Sequence, residues 1–445
     1  MPIDASALHG QVLRAARAQG VGEVETIVSA ANQALTRFAN NGIHQNVAEN
    51  AAHLSVRARI EGRTARATTD RLDADGIREV VEQAIALTRL TEPDEESLPL
   101  AEPAEYRAAD RWNQPTAQVT PRERAEAVAA AIAAVESAGQ TAAGIYSTDA
   151  IEYALLNSRG VDARYRETMA RFSITAMAAA SSGWTKASAC DHRDLDPVAL
   201  AASAARKAAQ SAAPRELPPG RYTVILEPAA VLDLVGQMFG DFSATAIRDG
   251  RSFLNDRIAK QIFGANITIH DDAWHPLQAG APFDGEGVPR RRLALVENGV
   301  VRDIAYCRQA AAQAGVTPTG HGFPLPNEYG EAPMNVVIAG GDSSIGQMVA
   351  STDRGILVTR LWYIREVDPY EKIFTGMTRD GTFLIEGGEV TAGIRNFRFN
   401  QGLIEMLSNV EALGPAVRAS GEETFDMVVP AMKVRDFNFT EVTRF

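Results

Sequence analysis

The stretch Gly220–Leu254, GRYTVILEPAAVLDLVGQMFGDFSATAIRDGRSFL, constrains the chain more than any other. Tyr222 to Leu226 alternates into a buried strand. Glu227-Pro228 ends that strand, and Pro228 suits the first turn of a helix, where its missing N–H costs nothing. The helix then carries Val231, Leu232, Leu234, Val235, Met238 and Phe239, an apolar set too wide for a surface helix and suited to a buried one. A Gly- and Ser-containing loop follows, with Arg248, Asp249, Arg251 and Ser252 close together. A buried helix behind a strand, facing a polar loop, is a common setting for a catalytic site.

At 445 residues the chain can bury a large core and should hold two or three domains. A net charge of -12 argues against phosphate-backbone binding, which needs clustered Lys and Arg, so no nucleic-acid partner is expected. Cys190 and Cys307 are too few for a disulfide framework, which fits a reducing compartment. The start, MPIDASALHGQVLRAARAQG, has an early acid and no apolar core, so no signal peptide is expected. No stretch approaches the roughly 20 apolar residues of a membrane span. The expected location is cytoplasmic, away from membranes.

Residues 5–18 read as a helix ended by Gly20, followed by strands at Glu23–Ala31 and Gln33–Phe38. His53–Thr69 is the clearest hairpin: Leu54, Val56, Ala58 and Ile60 alternate with Ser55, Arg57 and Arg59 around a Glu61-Gly62-Arg63 turn. Asp73 is placed to cap a helix reaching Leu90. Thr91–Pro103, acidic and proline-rich, is a linker. Thr120-Pro121-Arg122-Glu123 opens the next helix with a capping box, and Gly139 ends it. Strands follow near Ile145–Leu156 and Val161–Ala179, then a helix from Asp196-Pro197 to about Ala213 and a second linker, Pro214–Gly220. Beyond it the chain reads mostly as strands: Ala265–His270, Arg292–Glu297, Val300–Ala305, Val336–Ala339, Gly355–Arg365 and Gly381–Ile385, with Asn298-Gly299 as a hairpin turn. The expected architecture is α+β: two modest N-terminal α+β units (1–92 and 105–213), then a larger strand-rich C-terminal domain (220–445).

Several clusters carry chemistry in principle. His270-Asp271-Asp272-Ala273-Trp274-His275 offers two imidazoles and two carboxylates, but in no recognised ligand spacing, and reads as a solvated turn. Cys190-Asp191-His192 sets a thiol beside an imidazole without a third group to orient the pair. Gly340-Gly341-Asp342-Ser343-Ser344 lacks the following Lys of a phosphate loop and reads as a turn. Asp284-Gly285-Glu286-Gly287 reads as two exposed acids in a Gly loop. Asn40-Asn41-Gly42 is a tight turn that leaves His44 as a surface residue.

Against this background the helix Leu232-Asp233-Leu234-Val235-Gly236-Gln237 resembles the TldD/PmbA peptidases, whose zinc-bearing members carry His-Glu-x-x-x-His on the matching helix. Aligned on the shared Val-Gly, Leu232 and Gln237 stand at the histidine positions and Asp233 at the glutamate. Leu has no lone pair for zinc, and a Gln oxygen is a poor ligand beside imidazole. Arg37–Gln45 is similar to the family's N-terminal signature, and Pro282–Val288, Thr317–His321, Thr378–Glu389 and Ile394–Asn400 extend the likeness. The zinc-bearing members also use a cysteine near the C-terminus, and here none follows Cys307.

The resemblance implies a PmbA (TldE)-type subunit of a heterodimeric metallopeptidase, with a degenerate peptidase-like C-terminal domain. It implies no catalytic, cofactor-binding or metal residues in this chain, with zinc in a TldD-type partner that cleaves unfolded or extended peptides inside a chamber. Asp233, without a zinc-bound water to serve, is expected to cap a helix or to form a buried ion pair with Arg248 or Arg251. Two rival expectations are a self-sufficient peptidase using His270, His275 and nearby acids, and a partnerless peptide-binding or maturation factor.

Overall fold

A computed structural model describes residues 3–443. Among the described residues the strands form three sheets. The first contains β1 (Glu23–Ala39), β2 (Gly42–Ile60), β3 (Arg63–Thr69), β4 (Thr141–Asn157), β5 (Asp162–Ala178) and β6 (Ser181–Ala189). Its order is β3-β2-β1-β4-β5-β6, antiparallel throughout. The two N-terminal units therefore share one sheet, joined where β1 pairs with β4 from Glu25↔Asn157 to Phe38↔Gly144. The expected break between two strands at Asn32 does not occur, because β1 is hydrogen-bonded on both sides and needs no apolar residue there to hold it.

Helices cover one face of this sheet at each end. Helices Ala5–Ala18 and Ala74–Leu90 bury Leu8, Val12, Ile77, Val81 and Ile85 against Val24, Val28, Leu54 and Val56. Helices Pro121–Glu136 and Pro197–Gln210 cover Phe38, Phe172 and Ile174 with Val128, Ile132 and a run of alanines. The starts of these helices follow from local chemistry. Asp73 accepts from Gly76 N, and Thr120 and Glu123 close a capping box.

The hairpin turn of β1 and β2 is Asn40-Asn41, both at positive φ, a conformation that Asn tolerates better than most residues. β2 then runs well past its neighbour. β3 pairs only with Leu54–Ile60, so Gly42–His53 is bonded to β1 alone and its other edge has no strand beside it among the described residues.

The C-terminal part contains β7 (Gly220–Leu226), β8 (Ile269–Asp271), β9 (Leu293–Glu297), β10 (Val300–Val301), β11 (Val336–Ile338), β12 (Arg354–Asp368), β13 (Ile373–Glu386), β14 (Glu389–Gly393), β15 (Phe397–Gly402), β16 (Val410–Leu413), β17 (Val417–Ala419), β18 (Met427–Val429) and β19 (Met432–Val442). They form two mixed sheets, β10-β9-β8-β11-β18-β17 and β12-β7-β19-β15-β13-β14, with β16 on β19. Both sheets contribute to one large core that encloses the helix Pro228–Val235. The overall class is α+β, with a strand-rich C-terminal region. Several strands expected there differ in extent. Ala265–His270 shrinks to three residues and Val300–Ala305 to two, because irregular segments and isolated bridges take over that side. β13 starts eight residues before the expected Gly381, held by pairing to β12 and β15. No helix among the described residues is long and apolar enough to cross a membrane.

Candidate functional site

The helix Pro228–Val235 begins one residue after β7, with Pro228 in its first turn as the sequence requires. Ala230 through Val235 are buried on every side. At Gly236 the helix tightens into a 3₁₀ segment, Gly236–Asp241, which buries Met238 and Phe239. Below it Asp241 meets Lys372 Nζ at 2.6 Å and accepts from Phe253 N.

The three positions aligned with the motif serve different ends. The Leu232 side chain lies in the core, and its carbonyl accepts from Thr424 Oγ1 at 3.2 Å. Asp233 is fully buried, and its Oδ1 accepts from Glu422 N and Glu423 N at 3.0 and 3.1 Å. Its Oδ2 has no hydrogen-bond partner. Burial pushes the Asp233 carboxyl up to about 7, against the opposing pull of the two amides. Gln237 turns back and donates Nε2 to Asp233 O at 3.2 Å. Gly421 presses on the same carboxylate, and a Cβ there would collide with Asp233 Oδ1.

These residues do not fit zinc. One position has no donor atom, one has only a carboxamide oxygen, a poor zinc ligand, and the third offers a single enclosed oxygen where a metal needs three or four ligands. Asp233 instead fastens the loop Gly421–Thr424 onto the helix. The expected ion pair with Arg248 or Arg251 does not form: both arginines are exposed and bind Asp249, at 3.0 and 2.9 Å. The cause is position, since Arg248 ends the short helix Ala244–Arg248 and Arg251 follows it, both at the surface, while Asp233 is buried.

The other clusters separate as well. The solvated turn expected at His270–His275 does not hold at its start: Asp271 lies on β8 with its Oδ1 3.1 Å from His321 Nε2, both groups buried, while its Oδ2 accepts from Met334 N and Asn335 N. Asp272 pairs with Arg292, and among the described residues no three His, Cys, Asp or Glu side chains gather as metal ligands. In Cys190-Asp191-His192 the aspartate is taken by Arg193 and Asn113, and burial pushes the Cys190 thiol up, away from a reactive thiolate. Gly341 N and Ser343 N bond Gly414 O and Leu413 O, so the Gly340–Ser344 segment is a turn whose amides are largely engaged. His44 is exposed on β2.

One expectation is reversed. Asp284 and Glu286 are not exposed acids: each is only 3% accessible. The loop folds inward because Asp284 gathers amides, with Oδ1 accepting from Glu286 N and Val288 N and Oδ2 from Gly322 N. Tyr106 seals it from outside by donating to Gly287 O at 2.8 Å. Glu331, not singled out in the sequence, is satisfied in the same region by Ser243, Thr245 and Cys307. An isolated acid between Gly330 and Ala332 carries no local signal of this role.

Comparison with known proteins places these features in context. Residues 219–441 match the family described as PmbA/TldA metallopeptidase C-terminal domain, residues 114–212 its central domain and residues 24–88 its domain 1. "Metalloprotease PmbA" of Escherichia coli O157:H7 is 25% identical over 393 residues, 84% of this chain and 83% of that protein. A "Metalloprotease" of Methanothermobacter thermautotrophicus is 25% identical over 211 residues, 45% of this chain; the match spans less than half of that relative, 44% of its length. Other matched proteins bear the name TldD homolog. TldE from Thermococcus kodakarensis shares the fold, with a TM-score of 0.88 at 23% identity, covering 98% of this chain and 100% of that one.

Proposed function

The chain belongs to the PmbA/TldD metallopeptidase family, and from that premise we propose that it is the metal-free subunit of a two-chain peptidase. The partner would be a TldD-type paralogue with His-Glu-x-x-x-His intact and zinc bound. This subunit would complete the chamber and hold unfolded or extended peptides for the partner to cleave, in a reducing, cytoplasmic setting that suits two free cysteines. The observation that carries the reading is the use made of Leu232, Asp233 and Gln237, whose atoms serve the core and the Gly421–Thr424 loop.

Strand addition to Gly42–His53 is the physical means of holding peptide. Twelve residues of unpaired strand edge, at about 3.4 Å each, give about 40 Å of backbone donors and acceptors. Such pairing reads the peptide backbone and is largely indifferent to peptide sequence. Ile43 and Val47, 41% and 37% exposed, lie on opposite faces of the strand, because a bulge at His44 sets Ile43 across from Phe38 and Val47 across from Leu35, and each can meet apolar side chains.

The test mixes the purified chain with its closest His-Glu-x-x-x-His paralogue. Zinc is measured by elemental analysis, and cleavage of an unfolded peptide is followed with and without a chelator. No zinc and no cleavage alone, with chelator-sensitive cleavage in the mixture, is the expected result. Stoichiometric zinc or cleavage by this chain by itself would refute it. For the strand edge, a peptide N-methylated at alternate residues should bind less tightly than its parent, and equal binding would refute pairing there.

A further inference from the structure

Several buried carboxylates in this protein have a cation. Glu25 holds Arg57 and Arg66, Asp241 holds Lys372, and Asp380 holds Arg360. Glu286 has none within ion-pair distance, although it is only 3% accessible. Its neighbours Asp284 and Glu331 have every carboxylate oxygen occupied by backbone or hydroxyl donors. At Glu286, Oε2 accepts from Arg308 N at 2.8 Å, and Oε1 accepts nothing. The Arg308 guanidinium points away to Pro99 O. A buried carboxylate with a free oxygen and no counter-charge is costly to ionise, and burial with the neighbouring Asp284 holds the Glu286 carboxyl well above the usual range, so it keeps its proton until a cation offsets the charge.

That carboxylate lines a cavity of about 400 Å³. Thr245, Cys307 and Ala310 line it beside Glu286, together with the apolar Leu325 and the polar Asn327. Glu96, Asp249 and Glu328 are its further acids. Its single cation, Arg248, is already held by Asp249 and by Gln313 at 2.6 Å. Burial pushes the Cys307 thiol up to about 12, so it supplies no thiolate as counter-charge. Among the described residues no third ligand joins these groups to hold a metal ion. One free carboxylate oxygen suits a compact ammonium rather than a guanidinium, which binds carboxylate through two oxygens.

We propose that this cavity binds a primary ammonium group, with Glu286 as its counter-charge and Leu325 and Ala310 as walls for the attached alkyl chain. The proposal deepens the peptide-subunit reading and rests on it only for the source of the ammonium, which is either a Lys side chain or a peptide N-terminus.

The test uses the full chain alone, by calorimetry or ligand-observed NMR, with n-butylamine as probe and n-butanol as its neutral isostere. n-Butylamine should bind and n-butanol should not. Glu286→Gln, which keeps an oxygen for Arg308 N, should weaken amine binding by at least about tenfold. Nα-acetyl-lysine methylamide and alanine methylamide carry the charge at one source each, and the one that competes with n-butylamine identifies the source. Absence of n-butylamine binding, equal binding of n-butanol, or unchanged affinity in Glu286→Gln would each overturn the site. None of these readouts depends on zinc, on the paralogue or on cleavage, so a failure here is distinct from a failure of the two-chain reading.

Discussion

Asp233→Asn isolates the electrostatics of the buried helix Pro228–Val235. Asn keeps an oxygen to accept from Glu422 N and Glu423 N but cannot ionise. In the folded protein burial raises the Asp233 carboxyl from 3.8 to about 7. At about 1.36 kcal/mol per pH unit, ionising it in place opposes folding by about 4 kcal/mol. The sign follows from proton binding. Between 3.8 and about 7 the folded chain binds the proton and the unfolded chain has released it, so stability falls as pH rises through that window. The penalty is absent below 3.8 and complete above about 7. Urea denaturation of both proteins at pH 5 and pH 8.5 is the assay. Part of the penalty is already present at pH 5, so Asp233→Asn should gain on the wild type by about 2.7 kcal/mol between the two conditions. Any fixed penalty from an Asn amide facing the unpartnered Oδ2 position cancels in that difference. A variant-to-wild-type difference that stays constant with pH would refute the reasoning.

Other perturbations follow from the same packing. Gly421→Ala drives a methyl into Asp233 Oδ1 and to 2.7 Å from Leu232 Cδ2, and should cost about 1–3 kcal/mol by urea denaturation. Adding Asp233→Ala should recover part of that loss, whereas strictly additive effects would show that the two residues do not meet. Glu25→Ala leaves Arg57 buried beside Arg66 with no anion and should destabilise by about 3–5 kcal/mol, read from the denaturation midpoint. Cys307 should resist iodoacetamide at pH 8 in the folded chain and react in urea, as mass spectrometry of the Cys307 peptide will show.

What could be read from the sequence was local. The His53–Thr69 hairpin, the Asp73 cap, the capping box at Thr120 and the Pro228 helix start each lie within a few residues of their cause, and each stands in the fold. The partners that define the site are remote. Glu422 and Glu423 reach Asp233 across 189 and 190 positions, and nothing near Asp233 announces them. The Arg248 and Arg251 expectation failed for that reason: proximity in sequence stood in for direction in space. Asp284 and Glu286 misled in another way. A Gly-flanked acid pair has the composition of a surface turn, and only the amide of Gly322, 38 positions on, draws the pair inward. Among the C-terminal strands, Val336–Ala339 was legible and stands as β11, whereas β17 and β18 span three residues each, too short for alternation to register.

The β1–β4 seam bears on how this chain can be taken apart. The linker Thr91–Pro103 looks like a hinge, yet the pieces on either side of it are halves of one hydrogen-bonded surface. A backbone cut there would sever a tether and leave the sheet whole. Made as two separate polypeptides, the halves would carry matching raw edges of fourteen paired positions, Glu25–Phe38 against Gly144–Asn157. Each edge is the other's template, so reassembly from fragments is built into the fold.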